Sequence, residues 1–367
     1  MSKQICRWGI LGTATIARKN WQAIRNSGNG VLVAVASRDV ARAEAYVQER
    51  QQECPFSEPP HGTTYEELLA RDDIDAVYVP LPTGLRREWI IKAAQAGKHI
   101  LSEKPCARNA AELREMLQAC RENNVQFMDG VMFMHSQRLP EIRRVLDDPS
   151  QIGTIRRMSS HFSFLAEEDF LKNDIRAKSG LEPHGSLGDL GWYSIRMALW
   201  TMNGQLPVEV TARTLTEQAN PDGGPGVPLE LTAELRFPNN VSAGFYCSFL
   251  CDQQQTFTIS GTKGALVMND FVLPFFGNEV GFDLVKNDFQ ISGCQFDMVH
   301  TERRVTLPEN SNNHPTSQET NMVRNFANLV LRGEVAPAWG EIALKTQIVL
   351  DACSESARNG GQMIVLE

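Results

Sequence analysis

The sequence predicts an α/β fold, in which a doubly wound parallel sheet is followed by an α+β domain with a large, mostly antiparallel, open-faced sheet. Two observations predict it. As far as about residue 128, short and continuously apolar segments alternate with helical segments, which is typical of parallel strands buried on both faces. From Gly153 onward, apolar and polar residues alternate at every second position, as in antiparallel strands with one solvated face.

The length of the chain, 367 residues, allows two domains with a substantial core. A run of turn-forming residues, Asp147-Asp148-Pro149-Ser150, marks a plausible boundary between them. We therefore expect a first domain over residues 1–125, a connection over 125–150, and a second domain over 151–367. The helices at the end of the second domain are expected to pack back on the first.

Composition argues against several classes of partner and site. Charged residues make up 22% of the chain, as in an ordinary globular protein. The net charge of −8 disfavours nucleic acid and anionic membranes as partners. The eight cysteines form no C-x-x-C pair, which favours buried or free thiols over a disulfide framework or a metal site. No apolar run is long enough to span a membrane, and a first strand starting at about Ile5 leaves no room for a secretory leader. We expect a cytoplasmic protein.

A glycine-containing turn follows the first apolar segment, residues 5–11, and leads into a helical pattern through Ile24. It resembles the G-x-G-x-x-G dinucleotide fingerprint of Rossmann folds, with alanine at the second and third glycine positions. Small residues there let the backbone approach a pyrophosphate at the N-terminus of the following helix. A bare tight turn would look similar, and the methyl group of Ala14 takes space where phosphate comes closest. The candidate cofactor-binding residues are Gly12, Thr13, Ala14, Thr15 and Ile16.

The end of the second apolar segment, residues 31–36, discriminates between two nicotinamide cofactors. NAD sites usually place an acid here that binds the ribose 2′-hydroxyl. This chain has Ser37 and Arg38 instead, and a hydroxyl with a guanidinium suits the 2′-phosphate of NADP. Asp39 is an acid, but it lies one or two positions after the place where NAD sites carry theirs. NADP is therefore favoured, and NAD remains the alternative. The alternative is that Arg38 is only a solvated surface charge.

Two further apolar segments, residues 74–79 and 99–102, end in proline-containing turns. Ligands of open α/β sheets bind just outside the carboxyl ends of the strands. The stretch from His99 to Pro105 therefore places the ammonium group of Lys104 in that crevice. The candidate cofactor-binding residues at these two strand ends are Pro80, Leu81, Pro82, Glu103 and Lys104.

The second part of the chain contains one strong helical pattern among candidate strands. The helix covers residues 187–201, and two amphipathic helices, 317–332 and 340–358, precede a short strand over 363–366. The candidate strands are 155–164, 208–215, 229–237, 241–249, 256–260, 265–269, 282–285 and 303–307. The open face of such a sheet commonly becomes a subunit interface.

A second polar segment, His184 to Tyr193, opens that helix. Asp189 and Tyr193 are four residues apart, which places them on one helical face near its N-terminal end. A tyrosine has an ordinary pKa near 10, and a neighbouring ammonium group would make it a better proton donor. Each residue also has a structural alternative. Asp189 could be only a charge that complements the helix dipole, Tyr193 could be a core aromatic residue, and His184 could be a loop residue.

Three motifs together resemble the Gfo/Idh/MocA oxidoreductases, named for glucose–fructose oxidoreductase and inositol dehydrogenase. They are the sequences GTATIA at 12–17, SEKP at 102–105 and GDLGWY at 188–193. Their order and spacing match, and the resemblance covers nearly the whole chain. The branch with dimeric dihydrodiol and NADP-dependent xylose dehydrogenases is most similar, because Tyr193 stands where inositol dehydrogenases carry histidine.

The resemblance implies roles for individual residues. Lys104 would lie beside the nicotinamide and steady the reacting oxygen, Tyr193 would be the acid/base, and Asp189 would orient the substrate or the lysine. The family often has a cis bond before the proline of its E-K-P motif. Arg176 and His184 would bind substrate. The chain departs from the family's P-x-x-x-H segment, because Arg86 takes the place of the histidine, and His184 stands where glycine is usual.

These observations predict an NADP-dependent oxidoreductase that transfers a hydride between nicotinamide and a carbonyl or secondary alcohol of a sugar-like, polyol or diol substrate. We expect a homodimer or tetramer formed through the open sheet face. The alternative hypothesis is a non-catalytic nucleotide sensor or regulator on the same fold, since a fold does not dictate chemistry. The joint presence of lysine, aspartate and tyrosine argues against it.

Overall fold

The computed structural model describes residues 5–174, 180–220 and 225–366. Arg176, a candidate substrate-binding residue, lies outside the described residues. The described chain forms two compact units. The first contains residues up to Ser136, the short segment 180–183, and residues Asn310–Ile348. The second contains Gln137–Asp174, His184–Glu309 and the remainder from Val349.

The first unit is built on a parallel sheet with strand order β3-β2-β1-β4-β5-β6. This order confirms the doubly wound sheet, whose topological switch lies between β1 and β4. Its strands are β1 (Cys6–Leu11), β2 (Gly30–Ala36), β3 (His61–Thr63), β4 (Ala76–Val79), β5 (His99–Ser102) and β6 (Phe127–Asp129). β3 was not predicted, because a three-residue edge strand carries no periodicity.

Helices connect these strands and cover the sheet. Before the second unit they are α1 (Thr15–Asn26), α2 (Val40–Glu53), α3 (Tyr65–Leu69), α4 (Thr83–Gln95) and α5 (Ala110–Glu122). The second unit contributes α6 (Arg138–Asp147), α7 (Glu168–Asn173) and α8 (Trp192–Thr201), and the chain continues to α9 (Gln318–Arg332) and α10 (Ala338–Arg358). α3 begins with a capping box: Thr64 accepts from Glu67 N, and the Glu67 carboxylate accepts from Thr64 N.

Late residues of the chain complete the core of the first unit. Trp8 of β1 and Trp21 of α1 are fully buried there together with Phe326 of α9. The rings of Trp8 and Phe326 have centroids 5.2 Å apart. Burial of such large side chains is the main source of stability for a core of this kind.

The second unit carries the predicted large sheet, with strand order β14-β13-β12-β11-β7-β10-β9-β8-β15. The strand pairs are antiparallel except β7 and β10, which run parallel. The strands are β7 (Ile155–Leu165), β8 (Glu209–Gln218), β9 (Val227–Arg236), β10 (Ser242–Ser248), β11 (Leu250–Gly261), β12 (Ala265–Met268), β13 (Glu279–Ser292), β14 (Gln295–Pro308) and β15 (Ile364–Val365).

The predicted helix over 187–201 is present, but it begins differently from an ordinary α-helix. Leu187–Gly191 form a π-helical turn that continues directly into α8. A π-helical turn has a wider hydrogen-bond pattern and is often found at functional sites. Within residues 5–174, 180–220 and 225–366, no helix is long and apolar enough to cross a membrane.

Candidate active site

A cavity of about 570 Å³ lies at the carboxyl ends of the first unit's parallel strands. This is where the open α/β sheet is expected to bind a ligand. Eight of its lining residues are candidates from the sequence: Gly12, Thr13, Ala14, Ser37, Arg38, Pro80, Leu81 and Pro82. The turn after β1, the end of β2 and the proline segment after β4 thus border one space.

The turn after β1 requires glycine at its first position. Gly12 has a φ of +125°, and a Cβ atom there would lie 3.2 Å from Leu81 Cδ2. Ala14 is the N-cap of α1 and makes no side-chain capping hydrogen bond. The first turn of α1 therefore presents backbone N–H groups next to the cavity, as anion-binding helix N-termini do.

The end of β2 presents cations rather than a carboxylate to the cavity. Asp39 Oδ1 accepts a hydrogen bond from Ala41 N at 3.0 Å, so that this acid caps α2. Arg38 and Arg42 both line the cavity beside Tyr65. Burial raises the pKa of the Tyr65 phenol, and the positive charges of the two arginines oppose that shift. Two guanidinium groups at this strand end form a site suited to a phosphate.

The cavity also contains residues that the sequence did not indicate. Tyr65 and Trp89 form an edge-to-face pair with centroids 4.6 Å apart, and their apolar rings form a wall suited to a flat base. The one available signal was a second arginine, Arg42, shortly after Arg38 and in the first turn of α2. The residues missed are Arg42, Tyr65, Leu85, Glu88, Trp89 and Leu181.

Four candidate cofactor residues are not among the described residues that line this cavity. Thr15 and Ile16 open α1 and are exposed. The Glu103 carboxylate is buried, where its Oε1 accepts a 2.5 Å hydrogen bond from the Tyr78 hydroxyl and its Oε2 accepts from Lys104 N at 3.2 Å. Burial, followed by the charge of Glu103, raises the pKa of Tyr78 well above its ordinary value. Glu103 therefore holds the backbone of the fourth candidate, Lys104.

The peptide bond from Lys104 to Pro105 is cis, as the resemblance implied. The carbonyl oxygens on both sides of Lys104, those of Glu103 and Pro105, accept hydrogen bonds from Arg86 Nη1. Arg86 is only 4% exposed and lies in the first turns of α4. It does not line the cavity; it holds the turn that carries Lys104.

The segment 180–183 belongs to the first unit and packs on the N-terminus of α4. Glu182 accepts hydrogen bonds from Thr83 N at 2.9 Å and from Thr83 Oγ1 at 2.5 Å. Leu181 O accepts from Gly84 N at 3.0 Å, and the Leu181 side chain lines the cavity. A carboxylate at a helix N-terminus is favoured by the helix dipole.

The second polar segment lies in the second unit, packed against its sheet. Gly185 has a φ of +49°, and a Cβ atom there would be 2.3 Å from Pro228 O in β9, so only glycine fits. A Cβ atom on Gly191 would lie 2.9 Å from Leu187 Cδ1. Burial raises the pKa of the Cys247 thiol to about 12, which keeps it a neutral packing group beside this turn.

These glycines fix the position of the π-helical turn, and this turn fixes the positions of Asp189 and Tyr193. Asp189 is half-buried, and the Tyr193 side chain is 7% exposed with its ring 5.7 Å from that of Phe162. His184 is 4% exposed, and its carbonyl oxygen accepts from Gly188 N at 3.1 Å. The second unit therefore holds His184, Asp189 and Tyr193 in one helical start, while Lys104 belongs to the first unit.

Comparison with known proteins decides the family. Residues 6–131 match the sequence model of the Gfo/Idh/MocA oxidoreductase family with an NAD-binding Rossmann fold, and residues 141–267 match the model of that family's C-terminal domain. A dTDP-3,4-didehydro-2,6-dideoxy-alpha-D-glucose 3-reductase from Actinomadura kijaniata is 30% identical over 356 residues, 96% of either chain. The chain belongs to the Gfo/Idh/MocA family.

Two further members show the range of the similarity. D-xylose 1-dehydrogenase (NADP(+)) 2 from Haloferax volcanii is 29% identical over 353 residues, 96% of this chain and 98% of that protein. The crystal structure of a 3-ketoreductase from Actinomadura kijaniata with NADP and TDP-benzene has a TM-score of 0.80 and 25% identity, covering 96% of this chain and 98% of that one. Family membership confirms the predicted fold class and the prediction of a nicotinamide-dependent dehydrogenase or reductase.

Proposed function

We propose that this protein transfers a hydride reversibly between NADP(H) and a carbonyl or secondary alcohol of a sugar-like, polyol or diol substrate. The observation that carries the proposal is the common sheet edge of the first unit. There the glycine turn, two guanidinium groups and the turn that carries Lys104 follow neighbouring parallel strands. A dinucleotide bound along that edge extends from the phosphate-binding cations toward the β4–β5 end.

The residues at the end of β2 favour NADP over NAD. Asp39 caps α2 through its Oδ1 and is not among the described residues that line the cavity. Arg38 and Arg42 supply two permanent positive charges in a net acidic protein. The names of relatives support the same choice: the Haloferax xylose dehydrogenase is designated NADP(+)-dependent, and the Actinomadura 3-ketoreductase was crystallised with NADP.

We propose that Lys104 and Tyr193 act on the same substrate oxygen. When bound, the nicotinamide ring accepts or supplies the hydride. In the oxidation direction the ionised form of Tyr193, a phenolate, takes the hydroxyl proton, and the ammonium group of Lys104 stabilises the negative charge that develops on the oxygen. Asp189 orients the substrate or the lysine, and Arg176 and His184 contact the remainder of the substrate.

The substrate class follows from the relatives and from the chemistry. Their names describe a keto sugar reductase and a xylose dehydrogenase, together with a trans-1,2-dihydrobenzene-1,2-diol dehydrogenase from mouse that is 29% identical over 260 residues. Each of these compounds is cyclic or readily cyclises, and each carries vicinal oxygens. We propose a substrate of this kind, acted on in the cytoplasm by a homodimer or tetramer assembled through the open face of the second unit's sheet.

The experiment that tests the function is a substrate screen with NADPH and NADP, followed at the nicotinamide absorbance. The panel contains aldoses, keto sugars, nucleotide-linked keto sugars, cyclic diols and diketones. We expect turnover with at least one class. NADPH binding, detected by fluorescence quenching, without turnover across the panel would instead support the nucleotide sensor.

With a substrate in hand, Lys104→Met tests the role of the cation. Removal of the ammonium group withdraws charge stabilisation from the transition state, so kcat should fall by at least about 100-fold while NADPH still binds. Lys172→Met is the matched control, because Lys172 is an exposed lysine of α7 that pairs with Glu168. An unchanged kcat in Lys104→Met would refute the role.

Tyr193→Phe tests the proton transfer. The variant keeps the ring that packs on Phe162 and removes only the hydroxyl group. We expect a lower kcat and loss of one ionisation from the pH profile of kcat, because the phenol no longer titrates. A profile of unaltered shape would assign the proton transfer to another group, with His184 the first to test.

A further inference from the structure

The turn that carries Lys104 is held by a buried arginine outside the cofactor cavity. Arg86 Nη1 donates to the carbonyl oxygens of Glu103, at 2.9 Å, and Pro105, and Arg86 Nε donates to Leu81 O at 2.6 Å. Two of these acceptors flank Lys104 in sequence, and the third belongs to the cavity wall. One guanidinium group thus connects the Lys104 turn with the wall of the nucleotide site.

The chemistry of this contact is specific to arginine. The guanidinium group is planar and has five N–H donors in a fixed geometry, whereas an ammonium group has three donors around one atom. Hydrogen bonds from a charged donor in a buried site are about twice as strong as those between neutral groups. Glu182 Oε1 lies 3.9 Å from Arg86 Nη2 and supplies the compensating charge.

The peptide N–H of Lys104 is held as well, by Glu103 Oε2. The last backbone contact with the neighbouring strand before Lys104 is from Glu103 N to Val79 O of β4, at 3.1 Å. We propose that Arg86 is a positioning residue for Lys104: it touches neither cofactor nor substrate and sets where the ammonium group stands. This inference rests on the proposed role of Lys104, because a displacement of about 1 Å in a catalytic group can cost about 100-fold in rate.

The test compares Arg86→Met and Arg86→Lys with the control Arg87→Met. Arg87 is the next residue, is about half-exposed and pairs with Glu115 at the surface. We expect Arg86→Met to lower kcat by roughly 10- to 100-fold with less than about a threefold change in the Kd of NADPH. Arg86→Lys should retain more activity than Arg86→Met, because it keeps the charge and part of the bonding, and Arg87→Met should match the wild type.

The same substitutions made in a Lys104→Met protein distinguish a positioning role of Arg86 from general structural support. If Arg86 acts through Lys104, Arg86→Met in a Lys104→Met protein should change kcat by less than about threefold. An equal loss in both backgrounds overturns the inference, as does an unchanged kcat in Arg86→Met. If Arg86→Met does not fold, Arg86→Lys is measured in the same two backgrounds with the same criterion. Retained turnover in Lys104→Met alone would instead refute the proposed function.

An independent feature is the hairpin of β13 and β14, which extends past the sheet. β12 pairs with β13 only as far as Val285, and every residue from 286 to 304 is exposed. This outer part of the hairpin, residues 286–301, is called the arm below. A two-stranded ribbon without a packed face is marginally stable in water.

The two faces of the arm differ in chemistry. The register pairs Phe289 with Met298 and Ile291 with Phe296, which places these four side chains on one face. They are 54%, 61%, 62% and 68% exposed, in that order. The opposite face is polar apart from Val299: Lys286, Asp288, Gln290, Ser292, Gln295, Asp297 and Thr301.

We infer that the apolar face of the arm packs against the same face of a second copy of this chain. A face with apolar side chains on both strands is complementary to itself under a two-fold rotation, as an isologous dimer contact requires. At roughly 200 Å² per full side chain, the four residues present on the order of 500 Å² per copy. Two copies bury about 1,000 Å², which is the lower limit for a biological interface.

The test measures the mass of the protein in solution by light scattering or sedimentation. The double variant Phe289→Lys with Phe296→Lys should halve the wild-type mass or produce a monomer, because charge on both strands opposes packing. The matched control, Gln290→Lys with Ser292→Lys, adds the same charge to the polar face and should keep the wild-type mass. A monomeric wild type at tens of micromolar, or an unchanged mass in the first variant, overturns the inference.

Discussion

We expect Arg38 and Arg42, which line the cavity, to decide between the two cofactors, and their contribution can be measured separately from catalysis. A hydrogen-bonded charge pair contributes about 1.5–3 kcal/mol, so loss of one guanidinium group should weaken NADPH binding by roughly 10- to 100-fold. We predict this effect for Arg38→Ala and little change for NADH, which lacks the 2′-phosphate. Fluorescence titration with both nucleotides checks it.

The control for this prediction is Arg121→Ala, which removes an exposed guanidinium group of α5 that donates hydrogen bonds to Gln118, three residues earlier on the same helix. It should leave both affinities unchanged. Equal weakening of NADPH and NADH in Arg38→Ala would contradict the assignment of Arg38 to the 2′-phosphate.

Residues that directly follow a strand were open to prediction, because the end of a parallel strand fixes their place. Ser37 and Arg38 follow β2, and the structure places both in the cavity. Trp89 and Leu181 also line it, but they come from the middle of α4 and from a segment about 80 residues beyond the fifth strand, β5. No local pattern gives the position of either residue, since each depends on packing between elements far apart in the chain.

At the scale of elements, the turn before the π-helical segment depends on Gly185. We predict that Gly185→Ala destabilises the protein by more than 2 kcal/mol, because the residue has a positive φ and the new methyl group would meet Pro228 O. Urea unfolding followed by far-UV circular dichroism measures the change.

Gly97→Ala separates the two causes of this effect. Gly97 follows α4 with a φ of +71°, and a Cβ atom there meets nothing within 4 Å. Its substitution should cost only the left-handed backbone penalty, about 1–2 kcal/mol. Equal costs at the two positions would show that contact with β9 does not constrain the turn.

The start of α4 shows what limits prediction of element boundaries. α4 begins at Thr83, directly after Pro82, and its N-cap residue makes no side-chain capping hydrogen bond. Its first N–H groups need acceptors, and the Glu182 carboxylate supplies one for Thr83 from 99 residues away. A cap from a distant segment leaves no local signal, in contrast to the Thr64–Glu67 capping box, whose two residues are three positions apart in the sequence.

In the arm, by contrast, the sequence does carry a local signal. The alternation of apolar and polar residues predicted only part of the two strands. The strands predicted at 282–285 and 303–307 are the inner ends of β13 and β14. The alternation around Phe289 and Ile291 continues outward to a turn at Gly293, with a φ of +61°. Asn287 and Asp288 have low strand propensity and interrupt the apolar pattern, which concealed the extension.

At the scale of the whole molecule, the chain returns late in its sequence to complete the core of its first unit. Phe326 is fully buried and packs on Trp8 of the first strand. We predict that Phe326→Ala lowers the free energy of unfolding of this unit by about 3–5 kcal/mol, because a large cavity is left in the core. Loss of NADPH binding with increasing urea reports the unfolding of the unit that binds it.

Val335→Ala is the control, since Val335 follows α9 in the same part of the chain and is 36% exposed. Its unfolding midpoint should match that of the wild type. An NADPH-binding midpoint of Phe326→Ala equal to that of the wild type would mean that α9 does not support the nucleotide site.

The proposed hydride transfer requires that Lys104 and Tyr193 act together on one substrate oxygen, and a double-variant cycle tests this directly. The measurement is kcat for Lys104→Met, Tyr193→Phe and the combined protein. Residues that act as a unit in catalysis are strongly non-additive. We predict a double variant within a few-fold of the slower single variant; a loss equal to the product of the two single losses would contradict joint action at one oxygen.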